Sequence, residues 1–275
     1  MKKSFICLFA ASVVIFSFSS CGGKKAKEEA AKVEEAAVAA GSVSKSLLTE
    51  ELKQEVLLFL KDMPDSDIPN KVASGEIEIS VGDMKYMLAP AAAADLTTKS
   101  QKARALGIYL ADFNLLTLTG QPTKEVAAAM TKLVTDLNIT FVQSIINEEL
   151  PKGASAEESK LFYHNQEDKL ITAFADNDKM DVAMEVIGGL SAQYACVYAN
   201  PSLVVKGDAT SAGLSENMER RFTLLLEVAA DLSEYYPDLK TLGIVLSPMV
   251  TKVSSISTAR NNNSQILAIR DQLLK

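Results

Sequence analysis

Few side chains of this 275-residue chain are placed to do chemistry. His164 is the only histidine, in Tyr163-His164-Asn165-Gln166-Glu167-Asp168. Asp168, four residues on, shares its helix face. A metal site needs more than one imidazole and a neighbouring carboxylate. A nucleophilic mechanism needs a hydroxyl or thiol held against the ring. No Gly-x-Ser-x-Gly, His-Glu-x-x-His, paired Cys-x-x-Cys or Walker-type glycine loop occurs. His164 is therefore expected on a helix surface among carboxylates. No enzymatic activity, metal or cofactor is expected.

Asp112 is more informative. It follows Tyr109 by three positions, in a helix otherwise composed for burial. A buried carboxylate must be hydrogen-bonded or paired. One reading is structural: a bond to a tyrosine hydroxyl, a helix N-terminus or an arginine. The other is a pocket between two central apolar helices, lined by Tyr109 and Asp112 on the first and Gln193, Tyr194 and Tyr198 on the second. Gly107, Gly188 and Gly189 fit both readings, because they let helices touch or leave room for a ligand. Cys196, between Ala195 and Val197, reads as a buried and unreactive thiol.

Cys21 has a different fate. The chain opens Met1-Lys2-Lys3, runs apolar through residues 5–18 and reaches Ser19-Ser20-Cys21. A basic start, a short apolar run and small residues make a secretory signal rather than a membrane span. Phe18-Ser19-Ser20-Cys21 resembles the lipobox of bacterial lipoproteins, with Phe where Leu is usual and Ser where Gly or Ala is usual. The resemblance implies cleavage before Cys21 and acylation of its thiol. Residues 1–20 are then the signal, and residues 21–44 are the lipidated cysteine and a tether rich in Ala, Glu and Lys. Resemblance to enterobacterial lipoproteins would associate an acid after the cysteine with inner-membrane retention; Gly22 stands there instead, which favours the outer membrane. Surface-exported lipoproteins of the Bacteroidales type often carry acids close to the cysteine; here the first acids, Glu28 and Glu29, stand behind three lysines, and that departure favours the periplasmic face over the cell surface.

The elements that must position these residues follow from the pattern of residues 45–275, read as one helical domain. Thr49 caps a helix over 50–63 with Leu52, Val56, Leu57, Phe59 and Leu60 as its buried stripe. Residues 64–96 are irregular; Ile77-Glu78-Ile79-Ser80-Val81 alternates like a strand but has no evident partner. It is expected as an extended loop or small hairpin edge. Helices are predicted over 97–118, stopped by Gly120, and over 122–137, with Pro122 in the first turn. Others follow over 140–150 and, from the capping box Ser155-Ala156-Glu157-Glu158, over 156–175. Asn177 or Asp178 would start 179–198. After a loop at 200–213 come 215–235, 237–256 and 258–274. The fold class is all-α, a multi-helix bundle or short helical array. The apolar helices with Tyr109 and Tyr194 each lead to an amphipathic segment, Leu133-Val134-Thr135-Asp136-Leu137 and Val228-Ala229-Ala230-Asp231-Leu232. That pattern suggests an internal duplication of helix pairs.

The stretch Ala105-Leu106-Gly107-Ile108-Tyr109-Leu110-Ala111-Asp112, the Gly188-Gly189 helix and the helical close resemble a group of uncharacterised all-helical lipoproteins of Bacteroidales-type bacteria. The resemblance spans most of residues 50–270, and departs from the group at Leu190, where an aromatic is common. That group has no established activity, so the resemblance implies fold and location alone.

Composition narrows the rest. Without residues 1–20, Lys+Arg falls from 28 to 26 against 35 Asp+Glu, a net charge of −9. An acidic chain lacks the clustered Lys and Arg that phosphate neutralisation needs, so nucleic acid is not an expected partner. The absence of tryptophan argues against ring-stacking recognition of glycans. The expected partners are the membrane, through the N-terminal lipid, and a protein of the envelope. The leading expectation is a partner-binding or scaffold module. The alternative is a small-molecule or lipid binder with its pocket between the central helices.

Overall fold

The computed structural model describes residues 48–79, 86–151 and 153–275. The expected signal, Cys21, the tether, and Ser80 and Val81 lie outside these described residues.

Thr49 opens α1 (Glu50–Lys61), its hydroxyl accepting the Leu52 amide at 3.3 Å. Val56, Leu57 and Leu60 are buried as the stripe requires, but Phe59 points to solvent. A short α2 (Ile68–Ala73) leads to the two-residue strand β1 (Ile77–Glu78). A 3-10 turn (Pro90–Ala94) precedes α3 (Lys99–Leu118). Thr98 and Gln101 close a capping box there, so the helix begins two residues later than the predicted start at 97. At its end Gly120, with φ +67°, lets the Gln121 amide reach back to the Leu116 carbonyl at 2.8 Å.

The amphipathic α4 (Lys124–Asp136) buries Val126, Met130, Leu133 and Val134, with Pro122 outside it rather than in its first turn. The helix predicted over 140–150 is only a 3-10 turn (Thr140–Val142) and α5 (Gln143–Ile146). α6 (Ala156–Asp176) opens on the Ser155–Glu158 box. Asn177 and Asp178 close α6 and do not open the next helix. Asp178 takes φ +52°, and the Lys179 amide returns to the Phe174 carbonyl at 2.9 Å. α7 (Met180–Tyr198) therefore starts with no side-chain cap.

The connection after α7 holds β2 (Val204–Val205), the strand partner that local sequence does not reveal. Ile77 pairs with Val205 and Glu78 with Val204, antiparallel. α8 (Asp208–Leu232) begins well before 215 and shortens the expected loop. The last two predicted helices are each broken. Pro248 separates α9 (Asp238–Leu246) from α10 (Met249–Lys252), and Asn262 separates α11 (Ile256–Asn261) from α12 (Asn263–Gln272).

The centre is the pair α3 and α7, each enclosed on all faces along most of its length. They run parallel, with Lys99 meeting Asp181, Arg104 meeting Glu185 and Asp112 meeting Gln193. Around them pack α4 on α3, and α6, α8, α9 and α12 on α7; α1 lies on α6 and α8. Contacts join helices far apart in sequence, which is a bundle and not an array in which each pair touches only its neighbours. Among the described residues no helix is long and apolar enough to cross a membrane.

Candidate functional site

Two glycines set the spacing of the central pair. A Cβ at Gly107 would lie 1.9 Å from the Val186 carbonyl oxygen, and one at Gly189 would lie 2.0 Å from that of Arg104. The helices thus meet backbone to backbone. Of the two roles glycine could have here, close approach is the one realised. At Gly107 and Gly189 the space that the pocket reading would leave open is filled by backbone.

Above that contact Asp112 is fully buried. Its Oδ2 accepts the Leu88 amide at 3.0 Å and its Oδ1 accepts Gln193 Nε2 at 2.6 Å. Gln193 Oε1 accepts Arg270 Nη1 at 2.6 Å, and the same Arg270 nitrogen donates to the Tyr86 carbonyl at 2.7 Å. Gln193 Nε2 also donates to that carbonyl at 3.1 Å. Nearby, the Tyr109 hydroxyl donates to the Ala89 carbonyl at 2.8 Å. Burial pushes the Asp112 carboxyl up to about 7, outweighing the two hydrogen bonds and the Arg270 charge. The chemistry of this network is fastening: it ties backbone 86–89, within the irregular segment, to α3, α7 and α12.

Tyr194 and Tyr198 belong elsewhere. The Tyr194 hydroxyl accepts Asn114 Nδ2 at 3.3 Å, and Asn114 also donates to Gln166 of α6 at 3.3 Å. The Tyr198 hydroxyl is 2.6 Å from Ser215 Oγ on α8. The five residues named as possible pocket lining therefore point three ways: Tyr109, Asp112 and Gln193 bind the backbone at 86–89, Tyr194 binds Asn114, and Tyr198 binds Ser215. Tyr194 does border a hollow of about 20 Å³ beside Asn70 and Tyr163, room for a single water.

Sequence reasoning missed the buried cations. Arg221 is wholly enclosed and donates to Ser191 Oγ at 2.8 Å, the Pro64 carbonyl at 3.0 Å and Glu167 Oε1 at 2.6 Å. Arg104 grips both oxygens of Glu185, at 2.5 and 3.0 Å. A signal existed: Arg221 shares the inward face of α8 with Met218 and Leu225, and Arg270 that of α12 with Ile266.

His164 stands on the α6 surface, 3.3 Å from Asp65 and 3.7 Å from Asp168. Burial disfavours its charged form, but the Asp65 hydrogen bond and the charges of Asp65, Asp168 and Glu167 outweigh this and raise its pKa. Cys196 is buried, and burial pushes its thiol up to about 12. Among the described residues no three His, Cys, Asp or Glu side chains are grouped to hold a metal. No protein family, curated protein or solved structure matches this chain.

Proposed function

We propose that the chain is a lipid-anchored envelope protein whose helical domain binds a partner protein and catalyses nothing. The observation that carries the reading is a contrast between interior and surface. Inside, Asp112, Gln193, Arg221 and Arg270 are spent on joining helices and loops. Outside, Leu58, Leu161 and Ile244 keep 66%, 57% and 64% of their surface in water. Leu58 and the half-exposed Phe59 lie on α1 and Leu161 on α6, which pack on each other. Large aliphatic side chains left out on adjoining helices are what a partner surface needs.

The address rests on the N-terminal sequence. Cys21, behind an apolar run and small residues, would carry the acyl chains, and residues 22–44 would hold the domain off the membrane. Gly22 and the lysines at 24, 25 and 27 support the outer membrane and its periplasmic face. The resemblance to helical lipoproteins of Bacteroidales-type bacteria supports the same address.

The test of the partner reading places a photo-crosslinking residue at 58 or 161 in living cells. The expected result is a reproducible adduct of defined mass, the one formed from position 161 being lost when Leu58→Asp is added. Irradiation that yields no adduct at either position, with the protein at normal abundance, refutes it. For the anchor, alkyne fatty acid should label the wild-type chain and not Cys21→Ser; equal labelling of both refutes lipidation at this residue.

A further inference from the structure

A larger hollow borders the N-terminal end of the central pair, far along both helices from Asp112. Lys99 of α3, Asp181 and Glu185 of α7, and Tyr235, Tyr236 and Asp238 at the α8–α9 turn border a cleft of about 300 Å³. That is the lower end of the range for small-ligand sites, roughly 300–1,000 Å³.

Its charges do not balance. Glu185 is held at both oxygens by Arg104. Asp181 is held at one oxygen by Lys99. Asp238 accepts only the neutral Ser100 hydroxyl, at 3.3 Å. Once the two ion pairs are formed, Asp238 has no cationic side chain paired with it among the described residues. The field felt by Tyr236 has the same sign: after burial, Asp181 and Asp178 are what hold its proton on. Tyr235, which borders the same cleft, is 38% exposed. An aromatic ring and a carboxylate without a cationic side chain, bordering one cleft, suit a monovalent organic cation. The ring attracts the charge and covers the stem, and the carboxylate accepts the N–H donors. An anion would meet three carboxylates there.

We propose that this cleft binds an alkylguanidinium or alkylammonium group, carried by a free amine or by an arginine or lysine side chain of a polypeptide. Asp238 receives the charged head, Tyr235 covers the stem, and Lys99 limits the affinity by occupying Asp181. The assignment is independent of what covers Leu58 and Leu161.

The test is calorimetric titration of the purified full-length protein with butylguanidinium, its neutral counterpart butylurea, and a blocked Gly-Arg-Gly peptide. Butylguanidinium is expected to bind, and butylurea to bind at least about tenfold more weakly. Asp238→Asn should weaken butylguanidinium about threefold to fivefold, the size of a partly solvated ion pair. Lys99→Gln frees the Asp181 carboxylate and should tighten binding about threefold, a gain that misfolding cannot imitate. A peptide that binds more tightly than butylguanidinium assigns the group to a polypeptide; equal or weaker peptide binding assigns it to a free amine. Equal binding of butylurea and butylguanidinium, or affinity unmoved by both substitutions, overturns the proposal.

Discussion

Gly107→Ala is the most direct probe of the architecture. In a solvent-exposed helix, alanine in place of glycine stabilises by about 1 kcal/mol, because glycine loses more backbone freedom on folding. At position 107 the added methyl would stand 1.9 Å from the Val186 carbonyl oxygen and 2.7 Å from the Leu190 nitrogen. Both are main-chain atoms in the interior of α7, so no side-chain rotation relieves the overlap. Ordinary contact begins near 3.4 Å, so the helices must part locally by about 1.5 Å. Overpacking a well-filled core typically costs about 1–3 kcal/mol, and backbone against backbone belongs at or above the upper end. After subtracting the helix-propensity gain, the expected net loss is about 2 kcal/mol or more. For a domain of this size that is a fall in Tm of about 4–8 °C. Gly213, exposed in α8 with nothing within 4 Å of its virtual Cβ, is the matched control. Gly213→Ala should raise Tm by about 2–4 °C. Gly189→Ala, the reciprocal contact, should resemble Gly107→Ala, and the double variant should lose less than the sum because one separation relieves both overlaps. Thermal and urea unfolding followed by circular dichroism at the helix band reads all four. If Gly107→Ala matches or exceeds the wild type while Gly213→Ala stabilises, the backbone contact between α3 and α7 is not as described.

Three further outcomes follow from the buried polar groups. Asp112 has a folded-state pKa near 7, above its ordinary 3.8, so its contribution to stability is full below about pH 4 and is lost as pH rises through 7. The stability of Asp112→Asn relative to wild type should therefore rise between pH 4 and 8, by up to about 1.4 kcal/mol per pH unit, in urea titrations; a pH-independent difference contradicts the burial of this carboxylate. Glu167→Ala leaves the enclosed Arg221 guanidinium without its carboxylate and should cost about 3 kcal/mol in the same assay, whereas a loss below about 1 kcal/mol means that the pair is solvated. In a chain that lacks residues 1–20, and with them Cys7, and carries Cys21→Ser, Cys196 should react with a disulfide reagent only as fast as the protein unfolds. Labelling at the rate of a free thiol under native conditions would show that α7 is open there.

What the sequence alone determined is whatever depends on neighbours within about a turn of helix. Ser155 and Glu158 form their box, Thr49 caps α1, and Gly120 ends α3, because each needs only atoms three to five residues away. The apolar character of α3 and α7 likewise announced the centre of the bundle, since a helix apolar on every face has to be enclosed. Tertiary structure decided what depends on partners far along the chain. Ile77 read as a strand with nothing to pair with because Val205 arrives 128 residues later. Asp178 fitted a helix start equally well, until the return of the Lys179 amide to Phe174 used the turn to end α6. Between the two open readings of Asp112, structural bond or pocket wall, the choice fell to Leu88 and Gln193, which bond its two oxygens, and to Arg270, which bonds Gln193; only the closed bundle brings these residues together. Periodicity fixes which face of a helix turns inward, but not which face it meets. Three glycines can therefore spell either a cavity or a seam, and the register of α3 against α7 makes two of them a seam.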